Sequence, residues 1–233
     1  MKLNERLVSR PSRARTGDHA GDAGRKRGPA TAADPSRDRV LAAAASAFAA
    51  HGFAGTSVDQ IAAAARLNKA MIYYHFQNKA ELYRHILRDM FRAFGVRVRD
   101  VAASDLSPVD KIRLFIATFA AEAEARPHFP PIWFREIADG GAHLDDATLA
   151  DMAAVLKALT AILEEGVRAG AFKPVSPLLV HGGIVAPILL FFASAGIRSR
   201  VERAGVRGVS KITREQVVAH AQRVTLALLE GRA

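Results

Sequence analysis

The sequence contains no cysteine among its 233 residues. That excludes disulfides, thiolate metal sites and cysteine nucleophiles, and it suits a reducing cytoplasm. Runs of Val, Ile or Thr alternating with a period of two are scarce, so little argues for strands. The eight His are scattered, and His51, His75 and His85 offer no short-range ligand pair on one helix face. No metal site is expected. There is also no nucleophile elbow and no phosphate-cradling glycine loop, which removes the usual grounds for an enzyme, and no cofactor is implied.

What is present is an Ala-rich chain, half of it hydrophobic, with a formal net charge of +10. Such a composition predicts an all-α protein of one large or two small domains. The positive excess favours nucleic acid or an anionic surface as partner. Part of it sits at the start, where residues 1–34 carry eight Lys/Arg against four acids. Residues 1–33 lack both apolar periodicity and the apolar stretch of a secretory signal, so a disordered basic extension is expected there. It reads either as an arm adding non-specific phosphate attraction or as a dispensable leader.

Helix start signals recur along the remainder. Asp34-Pro35 supplies a cap and a first-turn proline, and Gly52 closes that helix. Ser57 with Gln60 forms a capping box, Asn68 caps the next helix to about Phe76, and Asn78 with Glu81 opens a long one to about Arg99. Ser107-Pro108, Ser176-Pro177 and Thr213 with Gln216 open later helices. A short helix is predicted over residues 132–138 after the prolines, and another over 149–169. The total is about nine.

Residues 57–79 carry the chemistry. Two short helices meet at Arg66-Leu67, with Ile61, Ala65, Leu67, Ile72 and Phe76 facing Leu41, Ala44 and Phe48 of the preceding helix. That is helix-turn-helix packing. The opposite stripe of the second helix holds Lys69, Ala70, Tyr73, Tyr74 and Gln77. A cation, a small residue and two phenols on one exposed face suit a major groove. Lys69 can reach a base edge or a phosphate, and Ala70 permits close approach. Tyr73 and Tyr74 can donate to phosphate oxygens, and Lys79 stands at a helix N-terminus that would attract one. Alone, the tyrosines could equally be core aromatics of a helical hairpin; the capping boxes and turn spacing favour the groove.

Gly52-Phe53, Thr56-Ser57-Val58, Ile61-Ala62, Ala65, Leu67, Tyr73, Phe76, Asn78-Lys79 and Leu82 together resemble the N-terminal domain of TetR-family transcriptional regulators. The resemblance implies a three-helix, homeodomain-like reader over residues 34–91 and a helical effector-binding and dimerisation domain over 92–233. It also implies that Thr56 or Ser57, Tyr73, Tyr74 and Lys79 hold phosphates while Asn68, Lys69 and Ala70 lie nearest the bases. Two departures stand out: Arg66 replaces a usual Gly in the turn, and Ala70 replaces a common Gly in the helix. If Arg66 has positive φ, the cost is about 1 kcal/mol.

In the second half, residues 127–143 concentrate the one Trp, Trp133, with Phe129 and Phe134. Apolar walls with a few polar groups are what a pocket requires, and Phe115, Phe119, Met152, Leu156 and His181 are further candidate lining residues. Each also reads as ordinary core. Residues 178–197 are apolar enough to span a bilayer, but they contain His181, Gly182-Gly183 and Pro187 and have no second span beside them. The family resemblance places such a helix in a twofold interface instead. The expected protein is therefore a cytoplasmic homodimer that binds a near-palindromic operator on double-stranded DNA. A small apolar or amphipathic effector would release it; the alternative is an effector-independent or protein-gated regulator.

Overall fold

The computed structural model describes residues 34–232, so the basic extension expected over 1–33 lies outside the described residues. Ten α-helices and one 3-10 turn make up the fold, with no strand among the described residues.

The second and third helices are short because their caps and breaks lie close together. Helix α1 (Pro35–His51) starts where the Asp34 side chain accepts from Ser36 N–H, and it stops at Gly52, whose φ is 73°. In α2 (Val58–Ala65) the reciprocal Ser57–Gln60 capping box is complete. Asn68 caps α3 (Lys69–His75) by accepting from Met71 N–H. Val40, Ala44, Phe48, Ile61, Ala65, Ile72 and Phe76 all turn inward to a common core.

Helix α4 (Lys79–Ala103) is the spine. Its 25 residues extend for roughly 37 Å at 1.5 Å per residue. Leu82 and Leu87 on it pack toward the first three helices, and Phe94, Val98 and Val101 enter the C-terminal core. It runs unbroken through residue 91, where a domain boundary was expected. Against it pack α5 (Pro108–Ala125), α6 (Phe129–Ala138) and α7 (Asp146–Arg168), while α8 (Pro177–Ala193) and α10 (Arg214–Leu229) pack on α5 and on each other, with α9 (Ala195–Arg203) following α8 in the chain. Two buried charges are fully engaged: Lys111 donates to Glu165 at 2.7 Å and to the Ala102 carbonyl at 3.1 Å, while Glu122 receives Arg97 at 2.9 Å and also Arg126.

Three boundaries differ from the sequence reading. The prolines at 130 and 131 do not precede α6; they lie in its first turn, where a missing N–H costs nothing. Helix α7 begins three residues early because Asp145 caps it by accepting from Thr148 N–H. The apolar stretch predicted as one helix breaks at Ser194 into α8 and α9, bent by 61°. There the Arg198 guanidinium donates to the Phe191 carbonyl and lies 4.2 Å from the Phe191 ring, so a side chain takes a carbonyl that a continuing helix would satisfy. Among the described residues no single helix is long and apolar enough to cross a membrane.

Candidate nucleic-acid interface and ligand cavity

The turn between α2 and α3 is tight because Arg66 adopts the left-handed conformation, φ 54° and ψ 46°. It is the one non-glycine residue with positive φ among those described. Its N–H and that of Leu67 close the end of α2 on the carbonyls of Ala63 and Ala62. Once α3 is pinned by Ile72 and Phe76, its other side must face outward. Tyr73 is 48% exposed and Tyr74 66%, and Asn68, Lys69 and Ala70 share that surface. Lys69 donates to Asp59 of α2 at 3.0 Å, which raises its pKa. His75 closes the far end of α3. Its Nε2 lies 2.6 Å from Ser36 Oγ, a hydroxyl already donating to Asp34, so the ring nitrogen is the donor.

Two residues predicted to hold phosphates are placed differently. Thr56 is buried, and its hydroxyl turns back to the carbonyls of Gly52 at 2.8 Å and Ala47 at 3.2 Å. It braces the loop after α1. Lys79 sends its ammonium to the carbonyls of Phe53 and Thr56, both at 2.9 Å, with the Phe53 ring 4.2 Å below. Two of its three N–H groups are thereby spent on the loop; the free clamp expected at the start of α4 is first a strut. Ser57 accepts from Gln60 N–H yet remains exposed, so its own O–H is still available.

The reader is tied to the rest through α6. Arg135 donates to the Ala49 carbonyl and, at 3.1 Å, to that of Ala50, capping the end of α1. Beside it Glu136 is fully buried. It accepts from Tyr83 Oη at 3.1 Å, from His143 N at 2.7 Å and from His143 Nδ1 at 3.0 Å. Burial, reinforced by the Glu136 carboxylate, pushes the Tyr83 phenol upward and keeps it a donor. Phe53 packs against the His143 ring at a tilt of 48°, with centroids 4.2 Å apart. None of this network was foreseen, since its members are scattered over ninety residues of sequence.

Phe129 and Trp133, on the same stripe of α6 as Glu136 but on its earlier turns, form a wall of an apolar cavity of about 290 Å³. Six of the eight candidate lining residues, Phe119, Phe129, Trp133, Met152, Leu156 and His181, lie on its wall. Phe115 and Phe134 do not. Phe115 is wholly buried one turn along α5, edge-on to Phe94 at 5.4 Å, and Phe134 lies about 100° round the helix from Trp133 and faces outward. The sequence reading missed Met90, Phe91 and Phe94 on α4 and Leu178 and Val185 on α8. The signal for the α4 set was its apolar spacing of three and four. His181 is the one titratable side chain on the wall, and burial lowers its pKa.

Comparison with known proteins agrees with this geometry. The model for bacterial regulatory proteins of the tetR family matches residues 40–86, and that for the tetracyclin repressor-like C-terminal domain matches 108–201. The HTH-type transcriptional repressor KstR2 of Mycolicibacterium smegmatis is 31% identical over 144 residues, 59% of this chain and 68% of that protein. The repressor NicS of Pseudomonas putida is 28% identical over 162 residues, 69% of this chain and 76% of its own length. Among solved structures, a tetR-family regulatory protein from Rhodococcus RHA1 is 19% identical with a TM-score of 0.65, covering 83% of this chain and 96% of that one. AibR, solved with isovaleryl coenzyme A and operator DNA, is 19% identical with a TM-score of 0.61, covering 84% and 98%. At that identity the structural matches speak to fold alone.

Proposed function

The chain belongs to the TetR family of DNA-binding transcriptional regulators, and on that premise we propose that it is a homodimeric repressor released by a small apolar or amphipathic effector. The observation that carries the reading is the outward stripe of α3: Lys69, Ala70, Tyr73 and Tyr74 lie exposed on a helix whose opposite side is locked into the core. Two such helices, one per protomer, would occupy successive major grooves of a near-palindromic operator, in the cytoplasm where the DNA lies. Tyr73, Tyr74 and Ser57 would donate to phosphates, with Asn68, Lys69 and Ala70 next to the base edges.

Surface chemistry supports the dimer. Leu179 and Leu190 on α8 and Val224 and Leu228 on α10 are all exposed, an apolar area that a twofold mate would cover. Relatives named as repressors support the direction of control. The 290 Å³ cavity supports an effector, because an apolar chamber walled by aromatic side chains is what a small organic molecule needs.

The test is operator selection from a random DNA library, followed by titration of Tyr73→Ala at matched salt. The variant is expected to bind about a hundredfold more weakly, the loss of one hydrogen bond to a charged acceptor in each of the two protomers, with the dimer intact by sedimentation. Wild-type affinity should fall steeply with salt as phosphate contacts release counterions. Unchanged affinity in the variant would remove Tyr73 from the interface. A regulator that no small molecule releases would favour the effector-independent alternative.

A further inference from the structure

The apolar cavity has a polar neighbour. A groove of about 520 Å³ runs between α1, α4 and the turn entering α6. Its charged and titratable walls are Arg37 and Asp38 on α1, His85 and Asp89 on α4, and Arg126 and His128 at the turn. Met90 and Phe129 line the groove and the cavity alike. The two spaces thus share two wall residues, and one of them is an unbranched thioether that can swing between rotamers.

The chemistry on the two sides differs sharply. Cavity walls are hydrocarbon and aromatic apart from His181. In the groove, the Arg37 guanidinium donates to His85 Nε2 at 2.8 Å, so that nitrogen is an acceptor and the ring proton sits on Nδ1. Arg126 grips buried Glu122 but reaches the exposed Asp89 at only 3.4 Å. That second contact is loose enough for another anionic oxygen to replace it. Asp38 and Asp89 oppose a bare negative charge, so an anion gains only by meeting the guanidinium groups directly.

We propose that the effector is an amphipath whose hydrocarbon part fills the cavity and whose head, bearing carboxylate or phosphate oxygens, lies in the groove against α1. The proposal rests on the effector reading above and names its chemical class. A cavity near twice the 150 Å³ that accepts benzene holds a hydrocarbon portion of roughly eight to twelve carbons. The head then touches Arg37, a residue of the reader's first helix, so the ligand senses where that helix stands. A purely apolar molecule buried in the cavity would make no direct contact with α1.

Calorimetric titration of the full-length protein without DNA tests this with three probes: decanoic acid, decanoyl coenzyme A and 1-decanol. At least one anionic probe should bind about tenfold or more tighter than the alcohol. Binding by the acid alone assigns a carboxylate head, and binding by the thioester alone assigns a phosphate-bearing one. Ala42→Trp, at an exposed position on the α1 wall, and Arg37→Gln should each weaken the anionic probe about tenfold while leaving decanol unchanged. Equal binding of alcohol and anions, unaltered anion affinity in both variants, or no binding of either anion up to about 1 mM overturns the proposal. Operator binding is measured separately, so its failure would strike the repressor reading and leave this result standing.

Discussion

Arg66 holds a backbone conformation in which its Cβ crowds the neighbouring carbonyl, and the turn tolerates it because the end of α2 is closed by two backbone bonds. Arg66→Gly should therefore stabilise the protein by up to about 1 kcal/mol, less whatever the unfolded chain gains in entropy. Thermal unfolding should show a rise of about 2–4 °C per kcal/mol for a chain of this size. His181 and His85 act in the opposite sense. Burial lowers both imidazole pKa values, with Arg37 adding to the effect at His85. Above about pH 6.5 these rings are neutral folded or unfolded, and stability is complete. Below it the unfolded chain takes up protons that the folded chain refuses, so stability falls until the folded rings titrate in turn. His181→Leu should flatten part of that decline in denaturant titrations between about pH 6.5 and 5, and leave the share due to His85.

At the scale of elements, α2 and α3 would face DNA together in the proposed complex, and their Asp59–Lys69 pair is exposed. The carboxylate occupies the Lys69 ammonium and, in that complex, would set a negative charge beside phosphates. Asp59→Asn should tighten operator binding several-fold at low salt, and the gain should shrink as ionic strength screens it. Anisotropy titrations at two salt concentrations decide the point; a loss of affinity would mean that Asp59 contacts a base. These two helices were almost fully legible in the sequence because capping is local: Ser57, Gln60 and Asn68 each act within three residues. Legibility failed where partners are distant. Nothing near Thr56 or Lys79 announces that both would be drawn inward, since their acceptors lie as far off as nine and twenty-six residues. The break between α8 and α9 was hidden for a related reason, since the arginine that takes the Phe191 carbonyl there lies seven residues further on. In the cavity, the aromatic cluster around Trp133 was visible, whereas the contribution of α4 depended on which of its turns α6 and α7 would cover.

For the whole molecule, the informative element is α6, which belongs to two structures at once. Phe129 and Trp133 stand in the cavity wall, and one turn on, Arg135 caps α1 while Glu136 ties down Tyr83 and His143. A ligand that shifts Trp133 moves the helix bearing both attachments, because a packed interior transmits displacement rather than absorbing it. Such a ligand regulates only if it binds the DNA-competent and DNA-incompetent arrangements unequally, and couplings of this kind typically amount to about 1–3 kcal/mol. Arg135→Ala tests the route. It removes the cap on α1 without touching the cavity, so effector affinity for the free protein should stay near wild type. The ratio of operator affinities with and without effector should fall toward unity. Linkage requires the same ratio to appear when effector affinity is measured on free and operator-bound protein, which provides an internal check. If the ratio were preserved in Arg135→Ala, the remaining connection would have to run through Glu136 and the continuous α4 spine, and Tyr83→Phe would be the variant in which it failed.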